Sequence, residues 1–224
     1  MIDIQDMFGK KSVIVFSTHT DDAFIAIGGL MSGIMRYGGS LNLVVFSAGG
    51  SLKLVRETGA LNYVRSMQRV DELKGALAEY DTMVSGFNIS PWLGKHEDLM
   101  SRNVTEKEVF DWLYESMSFD NTILFGPMDD GHQDHAFINR ITKVIGRNPR
   151  NRCGTFLYAL PYKLKIIPDF IFRIRSDDYE VKMRALKQFE SVLDSKDVDD
   201  IKLWDMMLGK YVDSKFAEGV FCLR

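Results

Sequence analysis

The sequence predicts an α/β fold: a Rossmann-like, doubly wound, mostly parallel sheet within a single domain. Three observations carry that expectation. Short β-branched runs alternate with longer segments of helical apolar spacing, the βαβ pattern that covers both faces of a parallel sheet. A length of 224 residues suits one large domain, or a domain with an appendage, rather than a string of modules. Hydrophobic residues at 46% and charged residues at 26% describe an ordinary folded chain and exclude wholesale disorder.

Each element follows in order. Ser12 to Ser17 is a short apolar run, as a strand buried on both faces should be. Asp22 to Tyr37 places Phe24, Ile27, Leu30, Met31, Ile34 and Met35 at helical spacing, and Gly38-Gly39 stops it. Leu41 to Ser47 reads as a second strand. After a polar loop, Leu61, Val64, Met67, Val70, Leu73 and Leu77 stripe a helix from about Ala60 to Tyr80. Thr82 to Phe87 is a weaker third strand, and Ser90 to Asn103 has no period and reads as a loop. Thr105 and Glu108 form a capping box that opens a helix through about Met117. Asn121 to Gly126 is a fourth strand, followed by a loop and a helix ending near Gly146. Thr155 to Leu160 and Phe170 to Ile174 read as late strands, and Asp178 to Leu193 as an amphipathic helix.

Composition narrows the function. Lys and Arg total 28 against 31 Asp and Glu, leaving a net charge of -3 and no basic excess for a phosphate backbone. Nucleic acid is not an expected partner. Cys153 and Cys222 stand far apart with no CxxC companion, which excludes a thiolate zinc site and suits a reducing compartment. The opening MIDIQDMFGKK has acids where a signal peptide needs bases, and no segment approaches the roughly 18 apolar residues of a membrane span. The expectation is a cytoplasmic-type domain without a membrane partner.

Two polar clusters fall where such a sheet binds ligands. With strand order 3-2-1-4-5, strands 1 and 4 are neighbours, and the crevice beyond their carboxyl ends is the binding site. Thr18-His19-Thr20-Asp21-Asp22 follows strand 1, and Asp129-Asp130-Gly131-His132-Gln133-Asp134-His135 follows strand 4. Three of the four histidines and five acids would meet there. Imidazole and carboxylate together suit zinc or a similar borderline metal, and a catalytic site keeps three protein ligands with one open position. Two histidines and one carboxylate are available in several combinations. Both clusters lie at helix starts, where the positive helix end should keep histidine neutral. Each residue also has an ordinary use. Asp22 and Asp134 could cap helices, and His96 is an unremarkable loop histidine.

At these residues the sequence resembles the LmbE-like (PIG-L) N-acetylglucosaminyl deacetylase family. Its A-H-P-D-D-E motif, followed by Gly-Gly, stands here as Thr18-His19-Thr20-Asp21-Asp22-Ala23 with Gly28-Gly29. Its H-x-D-H motif is His132-Gln133-Asp134-His135. Weaker similarities are Arg69-Val-Asp-Glu72 to R-x-x-E, Lys182 with Ala185-Leu186 to K-x-x-A-L, and Ala217-Glu218-Gly219-Val220-Phe221 to A-E-x-F. Thr20 replaces the family's proline and Ala23 its glutamate.

The resemblance implies one LmbE-like domain over residues 1–224. It implies that His19, Asp22 and His135 hold Zn2+, with Fe2+ or another divalent ion as substitutes. Asp21 would be the general base. His132 would steady the oxyanion or protonate the leaving amine, with Asp134 orienting its ring. Arg69 would contact the substrate; its ordinary alternative is a helix-surface ion pair with Glu72. The implied activity removes an N-acetyl or other N-acyl group from an amino sugar or its conjugate, a small-molecule partner; a homo-oligomer is compatible with this. Competing readings are an amidase of a non-sugar or thiol-conjugate amide, a non-catalytic sugar-binding relative, and a phosphate-accepting receiver module. The receiver module fails on length and on its missing third-strand aspartate. The walls that choose among substrates fall in loops 48–59 and 88–104, with Trp92 as a stacking candidate.

Overall fold

A computed structural model describes residues 3–48, 62–80, 84–89, 104–149, 151, 154–161 and 166–223. Apart from their ends, the two wall loops lie outside the described residues, as do Trp92, His96 and Cys153. The strands are β1 (Ser12–Ser17), β2 (Ser40–Val45), β3 (Val84–Ile89), β4 (Thr122–Pro127), β5 (Gly154–Tyr158), β6 (Phe170–Ile174) and β7 (Phe216–Cys222). The helices among the described residues are α1 (Ile4–Phe8), α2 (Asp22–Arg36), α3 (Asn62–Ala78), α4 (Glu106–Ser116), α5 (Gln133–Arg147), α6 (Ser176–Leu186) and α7 (Ser195–Tyr211).

The seven strands form one sheet in the order β3-β2-β1-β4-β5-β7-β6. The first five are parallel, in the expected 3-2-1-4-5 order, and β7 runs antiparallel to both β5 and β6. β1 lies inside the sheet between β2 and β4 and is buried on both faces, which its unbroken apolar run requires. Its side chains alternate between two cores. Val13 and Val15 join α1, α2 and α6, whereas Ile14 and Phe16 join α4 and α5.

Local signals act as the residues dictate. Thr105 and Glu108 make the full capping box of α4. Past α2, Gly38 takes a positive φ of 78°, the left-handed turn that ends a helix most easily at glycine. Four elements depart from the expectation. α6 ends at Leu186, and the apolar spacing to Leu193 continues through tight turns such as Gln188 N–H to the Ala185 carbonyl. α1, α7 and β7 were not read from the sequence at all.

Candidate metal centre

β1 and β4 pair directly, and α2 and α5 leave their carboxyl ends toward opposite faces of the sheet. This is the switch-point crevice. It brings together the two loops that carry His19, Asp21, Asp22, His132, Asp134 and His135.

The turn after β1 is held by Ser17. Its hydroxyl donates to the His19 carbonyl at 2.6 Å and accepts from the Ala23 N–H at 3.1 Å. Neither aspartate spends its carboxylate on capping. Asp21 occupies the N-cap position of α2 without a side-chain cap bond, and Asp22 Oδ2 accepts from the His19 N–H at 2.8 Å. At α5 the N-cap is His132, whose Nδ1 accepts from the Asp134 N–H at 3.3 Å.

Three ligand-type atoms then converge. His19 Nδ1 lies 3.3 Å from Asp22 Oδ2, His135 Nε2 lies 3.2 Å from the same oxygen, and the two ring nitrogens are 3.4 Å apart. A looser set replaces Asp22 with His132: ring nitrogens of His19, His132 and His135 lie within 4.8 Å of one another. The two sets share two histidines, and the one containing Asp22 is tighter.

Carboxylates also stand behind both rings. Asp130 Oδ2 is 3.0 Å from His135 Nδ1, and its Oδ1 accepts from the His132 N–H at 2.9 Å. Asp134 Oδ2 is 3.6 Å from His19 Nε2, so this carboxylate faces His19 rather than the His132 ring the resemblance implied. Carboxylates in this position fix ring orientation and tautomer in metal sites. Asp130 was not singled out from the sequence, although a carboxylate five residues before a candidate ligand in the same loop was available as a signal.

Arg69 is buried within the fold rather than lying on a helix surface. It is 2% exposed, donating from Nη2 to Asp21 Oδ1 at 2.7 Å and from Nε to the Ala48 carbonyl at 2.9 Å. Glu72, its expected surface partner, instead accepts from the Ser191 N–H and hydroxyl.

Burial alone would pull the imidazoles of His19 and His135 down. The Asp22 carboxylate overrides it, aided by Asp134 at His19 and by Asp130 at His135, leaving them at about 9 and about 10. Burial pushes Asp22 up, but the two imidazoles outweigh it and hold the carboxyl well below its usual range. His132 moves down, through burial first and then the charges of His19 and His135. The neutral state expected from the helix ends therefore suits His132. In the metal-free site His19 and His135 are held charged by Asp22.

No protein-family model and no curated protein matches the sequence. Solved structures do share its fold. An N,N'-diacetylchitobiose deacetylase from Pyrococcus horikoshii covers 99% of this chain and 87% of its own length, at 20% identity and a TM-score of 0.73. The zinc-inhibited form of a teicoplanin deacetylase covers 93% and 96%, at 13% identity and a TM-score of 0.65. A 4-carboxy-2-hydroxymuconate hydratase from Pseudomonas putida covers 96% of both chains, at 15% identity and a TM-score of 0.66. The chain thus has the single-domain α/β fold of the LmbE-like deacetylases. Because a hydratase shares that fold, the site rather than the fold must carry the chemistry.

Proposed function

We propose that this chain is a divalent-metal-dependent hydrolase that removes an N-acetyl or other N-acyl group from an amino sugar or amino-sugar conjugate. The observation that carries the reading is the triangle of His19 Nδ1, Asp22 Oδ2 and His135 Nε2, with sides of 3.3, 3.2 and 3.4 Å. A tetrahedral zinc ion with bonds of about 2.0–2.1 Å separates its ligand atoms by about 3.3–3.4 Å. The spacing of the three donors matches such an ion. Iron(II) and other borderline divalent ions suit the same donors. Bound there, the ion would polarise an amide carbonyl and acidify a water.

The chain's own residues do the rest. Asp21 is the general base: Arg69 holds Oδ1 and fixes the carboxylate, so Oδ2 takes the proton of the attacking water. His132 is the oxyanion donor. Its Nδ1 accepts from the Asp134 N–H, so in the neutral ring the hydrogen sits on Nε2 and is available to the developing charge. Asp21, now protonated, returns its proton to the departing amine nitrogen as the C–N bond breaks. Asp130 and Asp134 hold the His135 and His19 rings in register.

The test combines metal analysis with amine release. About one first-row metal ion per chain is expected after mild purification. Amine release is expected from a panel of N-acetyl and N-formyl sugars, and it should stop on chelation. Metal below roughly a tenth of an equivalent, with no uptake of added zinc, sinks the metalloenzyme reading. Metal without amine release, but with water added across an unsaturated acid, assigns the chain to hydratase chemistry instead.

A further inference from the structure

α2 is two helical halves joined at Ile27, where the backbone leaves helical geometry (φ -138°, ψ 24°). A break strands the amides just beyond it, because their carbonyl partners four residues back are displaced. Two of those amides are taken by one carboxylate. The Gly29 N–H donates to Glu218 Oε1 at 3.0 Å, and the Leu30 N–H donates to Oε2 at 2.6 Å. This is helix N-capping performed inside the fold by a distant strand, β7.

The capping carboxylate is itself seated. Lys182 Nζ, on α6, donates to Glu218 Oε1 at 2.7 Å and to Asp205 Oδ2, on α7, at 2.6 Å. None of the three side chains is more than 1% exposed. The Tyr80 hydroxyl donates to the Gly28 carbonyl at 3.0 Å. Glycine is needed for these approaches. A Cβ on Gly29 would stand 2.6 Å from Ile174 Cγ2, and one on Gly28 would stand 2.9 Å from the Tyr80 hydroxyl oxygen. A straight helix would satisfy its own amides and need no buried carboxylate, whose desolvation is unfavourable.

The near half of α2 begins at Asp22, with Asp21 at its N-cap. We propose that Glu218, seated by Lys182, is a positioning residue of the candidate metal centre. By capping the far half of α2 it fixes the bend that turns Asp22 toward His135 and Asp21 toward Arg69. The inference rests on the metal-site reading above.

The test uses the full chain and three readouts: zinc affinity by competition with a chromophoric chelator, the thermal midpoint, and amide exchange in zinc-free protein. Glu218→Gln keeps the shape and removes one acceptor oxygen. The zinc dissociation constant is expected to rise about tenfold, the lower end of the range for residues that support metal ligands. The Ala23 and Ile25 amides, bonded to Ser17 Oγ and the Asp21 carbonyl, are expected to exchange faster relative to Ala136 in α5.

Leu208→Ala, a cavity variant packed near Gly219 of β7, is the control. It should lower the midpoint and leave zinc affinity unchanged. Tyr80→Phe is the milder variant should Glu218→Gln not fold, with the same direction of change in affinity and exchange. A lowered midpoint with wild-type zinc affinity and wild-type α2 exchange makes these residues ordinary members of the core and overturns the proposal. Wild-type protein that binds no zinc overturns the metal-site reading instead. Exchange at Ala23 and Ile25 then decides the positioning role: unchanged rates refute it.

Discussion

At the first turn of α2, His19, Asp22 and His135 point ligand atoms at one another; beyond its bend, Lys182 lies between Asp205 and Glu218. Both clusters are buried and both mix acids with bases. They differ in closure. In the second, an ammonium group faces two carboxylates, and Glu218 also takes two backbone amides, so donors and acceptors match. In the first, two ring nitrogens and a carboxylate oxygen converge at 3.2–3.4 Å, and the rings bind Asp22 only by carrying protons. A cluster complete in itself holds the fold together. A cluster that converges on a common point can offer its atoms to a cation, and that difference is why the first is the one proposed as the metal site.

The largest expected effect separates the two aspartates within the first cluster. Asp21→Asn should keep its metal and lose turnover by about 10²–10⁴-fold, the usual worth of a general base. Asp22→Asn should weaken metal binding, with activity partly restored by excess zinc. Metal content and turnover of both variants decide it. Equal metal loss in the two, or full activity in Asp21→Asn, would show the roles to be wrong.

The second cluster should fail chiefly in stability, with its effect on zinc affinity the smaller one. Lys182→Met leaves Asp205 and Glu218 buried without their cation, a loss of about 3–5 kcal/mol by the usual cost of breaking a buried ion pair. Urea unfolding measures it. His135→Ala, by contrast, should abolish metal binding; at about pH 10, where the charge of the ring contributes little, it should destabilise the zinc-free protein much less than Lys182→Met. Comparable destabilisation by both variants at that pH would erase the contrast between the clusters.

Smaller again is the effect of the carboxylate behind a ligand. Asp130→Asn should weaken zinc binding by about 10–100-fold through a loosened His135 ring, with turnover of the zinc-saturated enzyme changed less. An unchanged dissociation constant would mean that the 3.0 Å contact with His135 does not orient the ring.

The same contrast explains what the sequence revealed. β1 and β4 are near-continuous apolar runs, and the polar loops after them stand out for that reason. The second cluster conceals the elements that carry it. α7 buries Asp205 among Ile201, Leu208 and Gly209 and exposes Leu203, Met206 and Met207, so no apolar stripe survives. β7 buries Glu218 in mid-strand beside Gly219, which breaks the pattern of a core strand. Arg69 was legible as a charged helix residue, but its partner Asp21 lies 48 residues away and only the fold joins them. The glycine pair belonged to the first motif and Lys182 and Glu218 to weaker similarities, and that they meet appears only when α2, α6 and β7 pack together.

A pH dependence separates the clusters too, because they titrate at different places. Burial lifts Asp205; Lys182 pulls against it and Glu218 adds to it, leaving about 7 against an ordinary 3.8. A carboxyl raised in the folded state holds an extra proton there, so its contribution to stability fades as pH climbs from about 4 to about 7. His19 and His135, raised from 6.5 to about 9 and about 10, contribute fully below about pH 6.5. That contribution fades as pH rises toward 10, while Asp22, held low, loses its own share only in acid. The midpoint of zinc-free protein should therefore fall in two overlapping stages on the way from pH 4 to pH 10. Zinc should abolish the second stage, because in the loaded site the histidines carry no protons in the folded state, and it should add a rise of the midpoint with pH up to about 6.5, where the unfolded histidines give up theirs. Asp205→Asn should remove only the first. Thermal melts at half-unit pH steps, with zinc and with chelator, resolve the two stages. A zinc-free midpoint that is flat between pH 6.5 and 10 would mean that Asp22 does not hold the two imidazoles charged, and the open cluster would lose its distinguishing feature.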